Sequence, residues 1–110
     1  MGTLRYANES YEIEDRVLAH VKAAVGAKLR RHESFYLSWD SAVEHARRVT
    51  LWLSPSSHIE FHFDEPVPPT LNREWVEQLT RSSHSLRGML IIPEHSAPDI
   101  QENEGERQAS

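Results

Sequence analysis

The sequence predicts an α+β fold: one compact domain with the element order ββαβββαβ, a mainly antiparallel sheet and two helices. Three consecutive segments in the middle of the chain alternate apolar and polar residues, which is typical of half-buried strands. Two other segments carry apolar residues at three- and four-residue spacing, as amphipathic helices do. With 110 residues, of which 38% are hydrophobic, the chain has enough apolar mass for one core and too little for two.

The first part of the chain is predicted to be a β-hairpin followed by a helix. Residues 3–6 and 11–13 flank Ala-Asn-Glu-Ser, in which Asn8 tolerates the left-handed conformation of a turn. The helix is expected to run from Asp15, as N-cap, to about Arg31. Gly26 lowers the stability of the helix interior by about 1 kcal/mol relative to alanine, a cost that is tolerable if a strand packs close against the glycine. Its buried stripe is predicted to be Leu18, Val21, Ala24, Val25 and Leu29.

The three alternating segments are predicted to be neighbouring strands of one sheet. We expect Trp39 and Phe61 to be buried on the same face and His62 to lie on the opposite one. The predicted core side chains are Phe35, Leu37, Trp39, Val49, Leu51, Leu53, Ile59, Phe61 and Phe63. The residues predicted on the other face are Tyr36, Ser38, Thr50, Trp52, Ser54, His58, Glu60 and His62.

A proline-rich linker, residues 66–69, is predicted to lead into the second helix. Asn72 is the expected N-cap, and Leu71 and Val76 are placed to form a hydrophobic staple around it. The serine-rich segment 82–85 should end the helix, and residues 89–92 should form the last strand. The predicted buried stripe of this helix is Leu71, Trp75, Val76 and Leu79.

The charge is concentrated at the C-terminal end. Residues 1–92 carry 11 basic and 12 acidic residues, a net charge of −1, whereas residues 93–110 carry one arginine and five acidic residues, a net charge of −4. We therefore predict one domain, residues 1–92, and a disordered acidic tail, residues 93–110, that solvates the protein. The body lacks the basic charge that is typical of a nucleic-acid-binding domain.

Several classes of protein are excluded by composition. The absence of cysteine rules out disulfides, thiol nucleophiles and thiolate zinc sites. No apolar stretch is long enough for a membrane span, and no secretory signal follows Met1, so we expect a cytoplasmic protein without membrane contact. No phosphate-binding glycine loop or nucleophile elbow is present either. We expect no cofactor and no enzymatic activity.

The motifs as a set resemble those of a known family. They are residues 13–20 (IEDRVLAH), 28–35 (KLRRHESF), 38–40 (SWD), Arg47-Arg48, 52–55 (WLSP) and 70–75 (TLNREW). The chain is similar over residues 4–93 to a family of small uncharacterised actinobacterial proteins, many of which are labelled "ATP-dependent DNA ligase". A covalent ligase needs a lysine nucleophile in the motif Lys-x-Asp-Gly. Lys22 and Lys28 are the only lysines, and neither lies in that motif, so the label does not imply ligase catalysis here.

Two hypotheses about function remain. The first is a non-catalytic interaction or regulatory module that binds a protein partner or forms a homodimer. The second is a nucleic-acid-binding accessory protein that stacks bases on aromatic rings of the sheet and holds phosphates with arginines. A third possibility is a small-molecule pocket between helix and sheet. The candidate binding surface is Arg30, Arg31, Tyr36, Arg47, Arg48, Trp52, His62 and Arg73.

One pattern has metal-like spacing. On a strand, His58, Glu60 and His62 project to the same side, and His45 would be an outside ligand. Solvated polar residues on a half-exposed strand give the same pattern, so we predict no metal site. His20 with Glu14 or Asp15 is a possible acid/base pair, but we expect this histidine on the flank of the first helix.

Overall fold

The fold was analysed in a computed structural model, which describes residues 1–41 and 47–94, with the backbone alone for Ser41 and Arg47. The element order ββαβββαβ is as predicted. Within these ranges no helix is both long and apolar enough to cross a bilayer. The elements are β1 (Gly2–Tyr6), β2 (Glu9–Ile13), α1 (Asp15–Arg30), β3 (Phe35–Ser41), β4 (Arg47–Leu53), β5 (Ile59–His62), α2 (Arg73–Ser82) and β6 (Met89–Leu90).

The strands form two three-stranded sheets instead of the predicted single sheet. One has the order β2-β1-β5 and the other β4-β3-β6, with every pair antiparallel except β3 and β6. The prediction that β5 continues the sheet beside β4 is wrong, because β5 pairs with β1, where Phe61 lies opposite Leu4. A turn closed by hydrogen bonds between Ser54 and Ser57 redirects the chain after β4. Alternation identifies a strand, but it does not identify the neighbouring strand.

The core lies between the two sheets and the helices. Leu18, Val21, Ala24 and Val25 of α1 are buried as predicted, and Leu29 packs against the core at its edge. The sheets meet where the ring of Tyr11 in β2 contacts that of Trp39 in β3 edge-on, with 5.4 Å between the centroids. The core also contains Leu4, Ile13, Phe35, Leu37, Trp39, Leu51, Leu53, Trp75, Leu79 and Met89.

Some predicted core positions are wrong. Phe63 is exposed because β5 ends at His62, and Leu71 is exposed because it precedes α2. Phe61 is half-buried and lies next to His62 on its strand, so the two point to opposite faces. Phe61 does not share a face with Trp39, since the two lie in different sheets.

The starts of the two helices differ in their capping. The Asn72 side chain accepts a hydrogen bond from the Trp75 amide, which confirms it as the N-cap of α2. Asp15 is the first helical residue of α1 and not its N-cap, the position that Glu14 occupies. The Asp15 carboxylate instead accepts a hydrogen bond from the Glu65 amide across the loop that follows β5. In the hairpin turn the left-handed residue is Ala7 and not Asn8.

A buried polar network joins α1 to the start of α2. His20 is fully buried and stacks on Trp75, with 4.3 Å between the ring centroids. Its Nε2 accepts a hydrogen bond from the Asn72 amide, which requires Nδ1 to carry the proton and donate it to the Arg16 carbonyl. The prediction that His20 lies on the flank of α1 is therefore wrong, since the ring is buried and bonded to the backbone of Arg16 and Asn72 and not to Glu14 or Asp15.

The same network holds residue 94. The Arg16 guanidinium donates two hydrogen bonds to the Glu94 carboxylate, at 2.9 and 2.8 Å, and the Asn72 amide group donates a third. Arg16 first, and then Asn72, lower the pKa of Glu94 to about 2. Glu94 is thus attached to the folded body, although the sequence assigns it to the tail.

Candidate functional site

The outer face of the β4-β3-β6 sheet carries an exposed aromatic pair. Tyr36 and Trp52 lie directly opposite each other on β3 and β4, with their ring centroids 5.0 Å apart and the rings inclined at 64°. They are 47% and 49% exposed, respectively. Large aromatic side chains that remain half in water on a sheet are available to a partner surface.

Backbone geometry explains why the side chains of this face lie close together. The Ser38 carbonyl accepts a hydrogen bond from the Ile91 amide, so it points away from β4. Ser38 and Thr50 therefore form a non-hydrogen-bonded pair of the antiparallel ladder, the kind in which opposite side chains approach most closely. Their hydroxyl oxygens are 3.1 Å apart. The Trp52 carbonyl points outward in the same way and accepts a hydrogen bond from the Tyr6 hydroxyl, which occupies this part of the sheet edge.

A loop after α2 adds an apolar tip to this face. Leu86 is fully exposed, and the Arg87 carbonyl accepts a hydrogen bond from the Ser38 hydroxyl, which fixes the loop on the sheet. Gly88 permits this contact, since its φ is 80° and an added Cβ would lie 2.5 Å from the Tyr36 backbone. A shallow groove of about 810 Å³ runs between the loop and the sheet. Sequence analysis missed Leu86 and Arg87, and the nearby glycine was the one available signal for a tight turn.

The predicted site residues lie on several surfaces. Tyr36, Arg48 and Trp52 share the outer face of the β4-β3-β6 sheet, where Arg48 is opposite Asp40 and lines the groove beside Arg87. The others lie elsewhere: Arg30 lines a groove beside α1, Arg31 follows the end of α1, Arg73 begins α2, and His62 belongs to β5 of the other sheet. The side chain of Arg47 lies outside the described residues.

His62 in β5 and His58, which immediately precedes the strand, both contact one carboxylate. Nε2 of His58 and Nε2 of His62 each lie 2.8 Å from an oxygen of Glu60. His62 first, and then His58, lower the pKa of Glu60 to about 2. Within the described part of the chain, no group of three or more histidine and acidic side chains is arranged to hold a metal ion. His45 lies outside the described residues.

The described side chains on the outer face of the β4-β3-β6 sheet present ring faces, hydroxyls and guanidinium groups, which can pack and form hydrogen bonds. No imidazole lies next to a hydroxyl among the described residues of this face, the arrangement that activates a serine nucleophile.

Comparison with known proteins identifies the family. Neither a search of curated proteins nor a search of solved structures gave a match. A family model described as a domain of unknown function, DUF7882, matches residues 1–94, which is the folded body up to the glutamate that Arg16 holds. The chain therefore belongs to the DUF7882 family.

Proposed function

We propose that this protein is a non-catalytic, cytoplasmic interaction module that forms a homodimer through the outer face of the β4-β3-β6 sheet. The observation that carries the proposal is the Tyr36–Trp52 pair, half-exposed and beside the fully exposed Leu86. Exposed aromatic and aliphatic side chains that lie together on one face are typical of protein contact surfaces.

The charges on this face favour a second copy as the partner. Asp40 lies opposite Arg48 on the sheet, and Arg87 lines the same groove. A two-fold axis that lies in the interface, along the strands and between β3 and β4, brings the face of one copy against the same face of the other, so that Asp40 of one copy meets Arg48 of the other. The aromatic pair then packs against the same pair of the second copy, and aromatic residues buried in a contact contribute most to binding.

Sedimentation velocity of the full chain over a range of micromolar concentrations tests this proposal. We expect reversible dimerisation that Trp52→Ser weakens about tenfold or more, as is usual for a central aromatic residue. The matched control is Val67→Ser, because Val67 is 74% exposed but lies in the loop after β5, away from this face. A chain that stays monomeric at the highest concentration, or a dimer that both variants weaken equally, would contradict the proposal.

The second candidate is a nucleic-acid-binding accessory protein that uses the same face. Two arginines, Arg48 and Arg87, lie there with the aromatic pair, and rings beside guanidinium groups suit stacked bases and phosphates. The resemblance of the chain to small actinobacterial proteins labelled "ATP-dependent DNA ligase" also supports this candidate. Ligase catalysis is not part of it, because Lys28 is buried with its Nζ 2.6 Å from Glu33 and Lys22 lies in no ligase motif.

Titration with a single-stranded oligonucleotide, followed by tryptophan fluorescence, distinguishes the two candidates. If the second is correct, binding is saturable, weakens with salt, and is reduced by Arg48→Ala. Arg31→Ala is the control, because Arg31 lies at the end of α1 and not on this face. If no binding occurs at low salt, where the attraction between charges is strongest, the nucleic-acid candidate is rejected.

A further inference from the structure

A second groove, of about 1010 Å³, lies between α1 and the loop that follows β5. Its floor is formed by small residues on successive turns of α1, namely Ala19, Ala23 and Gly26. Phe63 and Val67 line the opposite wall, and both are exposed. No described strand packs closely on Gly26, since an added Cβ would meet only the end of the Arg30 side chain, at 3.7 Å.

The size and lining of this groove fit a small molecule. Ligand pockets are mostly apolar clefts with a few polar groups that orient the ligand. From Ala19 to Arg30 the helix rises about 16 Å, which is room for an extended alkyl chain of about a dozen carbons. The wall is stiffened by proline, since residues 66, 68 and 69 are prolines that line the groove.

The charges that line the groove differ along its length. Near the start of α1 it is lined by Glu14, Asp15 and Glu65. The Met1 ammonium and the Arg16 guanidinium also line this end, where they pair with Asp64 and Glu94, respectively. Two further cations, Lys22 and Arg30, line the groove further along the helix. Among the ion pairs of the described residues, none includes either of these two cations. An anionic group is therefore attracted to Lys22 and Arg30 and repelled by the acidic residues near the start of α1.

We propose that this groove binds a single-chain anionic amphiphile of the fatty-acid type. The alkyl chain lies between the small residues of α1 and the wall that contains Phe63, and it removes that wall from water. The carboxylate lies at Arg30, which donates charge-assisted hydrogen bonds, and Lys22, about 12 Å nearer the start of the helix, adds positive charge along the groove. This site is separate from the outer face of the β4-β3-β6 sheet and does not depend on dimerisation.

Dodecanoate, kept below its micelle concentration, is the probe, and amide chemical shifts of the full chain report where it binds. We expect saturable shifts at Ala19, Ala23 and Gly26, and no saturable shifts there with the cationic analogue dodecyltrimethylammonium. Gly26→Leu fills the groove and should weaken binding at least tenfold. Gly26→Ala is its control, because a single methyl group has space and leaves the groove open.

A second pair of variants keeps the test valid if Gly26→Leu does not fold. Arg30→Glu should also weaken dodecanoate binding at least tenfold, whereas Arg31→Glu, outside the groove, should leave it unchanged. The proposal is overturned if dodecanoate does not bind, if the cationic analogue binds equally well, or if the shifts occur at Tyr36 and Trp52. The last result would mean that the amphiphile only covers the aromatic face. Loss of dimerisation in sedimentation, with dodecanoate binding intact, would reject only the homodimer.

Discussion

The contact between Gly88 and β3 gives the sharpest test of this fold. Gly88→Ala places a methyl group 2.5 Å from both the carbonyl oxygen and the Cβ of Tyr36. Real Cβ atoms do not approach other atoms so closely, so β6 must move away from β3 or the loop must change conformation. The φ of 80° is also unfavourable for any residue with a Cβ. The substitution therefore has two independent costs.

The size of the effect follows from these two costs. A left-handed conformation costs a non-glycine residue about 1–2 kcal/mol, and overpacking costs about 1–3 kcal/mol. Together they should lower the free energy of unfolding by about 2–5 kcal/mol, a large part of the stability of a domain of this size. Urea unfolding, followed by far-UV circular dichroism, measures this change directly. Trp52 fluorescence should change as well, because the strain acts on its partner Tyr36.

Gly26→Ala is the matched control for Gly88→Ala. Gly26 lies inside α1 and has space for a methyl group, so alanine should stabilise the protein by about 0.5–1 kcal/mol through its helix propensity. The two glycine-to-alanine changes should thus have opposite signs. If the free energy of unfolding of Gly88→Ala lies within about 0.5 kcal/mol of that of the parent protein, the close contact between the loop and β3 is refuted.

Three further predictions concern the polar network of α1 and α2. His20→Ala should lower the free energy of unfolding by about 3 kcal/mol in urea titrations, because it removes the ring under Trp75 and the acceptor of the Asn72 amide; an effect below 1 kcal/mol would contradict this account. Asn72→Ala should lower the free energy of unfolding by about 1 kcal/mol because the N-cap of α2 is lost. Loss of the hydrogen bond from Asn72 to Glu94 should add to this effect. The pKa of Glu94 is lowered to about 2 in the folded protein. The ionised carboxylate therefore stabilises the fold fully above its ordinary pKa of 4.5, and this stabilisation is lost as the pH falls towards 2. Glu94→Gln should therefore be less stable than the parent at neutral pH, and the difference should vanish in acid unfolding near pH 2.

Local sequence patterns predicted most elements because the causes of those elements are local. The spacing of Leu18, Val21 and Val25 marks the buried face of α1, and Asn72 supplies the acceptor that begins α2. Alternation along β3 identified Tyr36 as outward-facing, since successive side chains of a strand point to opposite faces. Each of these conclusions needs only the residues within a few turns or strand positions.

The candidate site could be predicted only in part for the same reason. Tyr36 and Trp52 were predicted from the alternation along two strands, whereas Arg48 was predicted as one of several arginines and only the structure places it on the same face. Leu86 was missed because it joins the site through the fold of a loop, which leaves no periodic signal in the sequence. Arg30 belongs to a groove that forms only when the loop after β5 packs beside α1. Side chains that meet through such non-local packing carry no common pattern along the chain.

The sequence by itself determined the number, order and type of the elements, the faces of α1, β3 and β4 that are buried, and the charge of the C-terminal residues. Tertiary structure decided that β5 joins β1 instead of β4, that His20 is buried beneath Trp75, and that Glu94 is held by Arg16. The physical reason is that backbone hydrogen bonds between strands are nearly independent of residue type. Which strands pair, and which polar groups are buried together, depends on how all the elements fill one core.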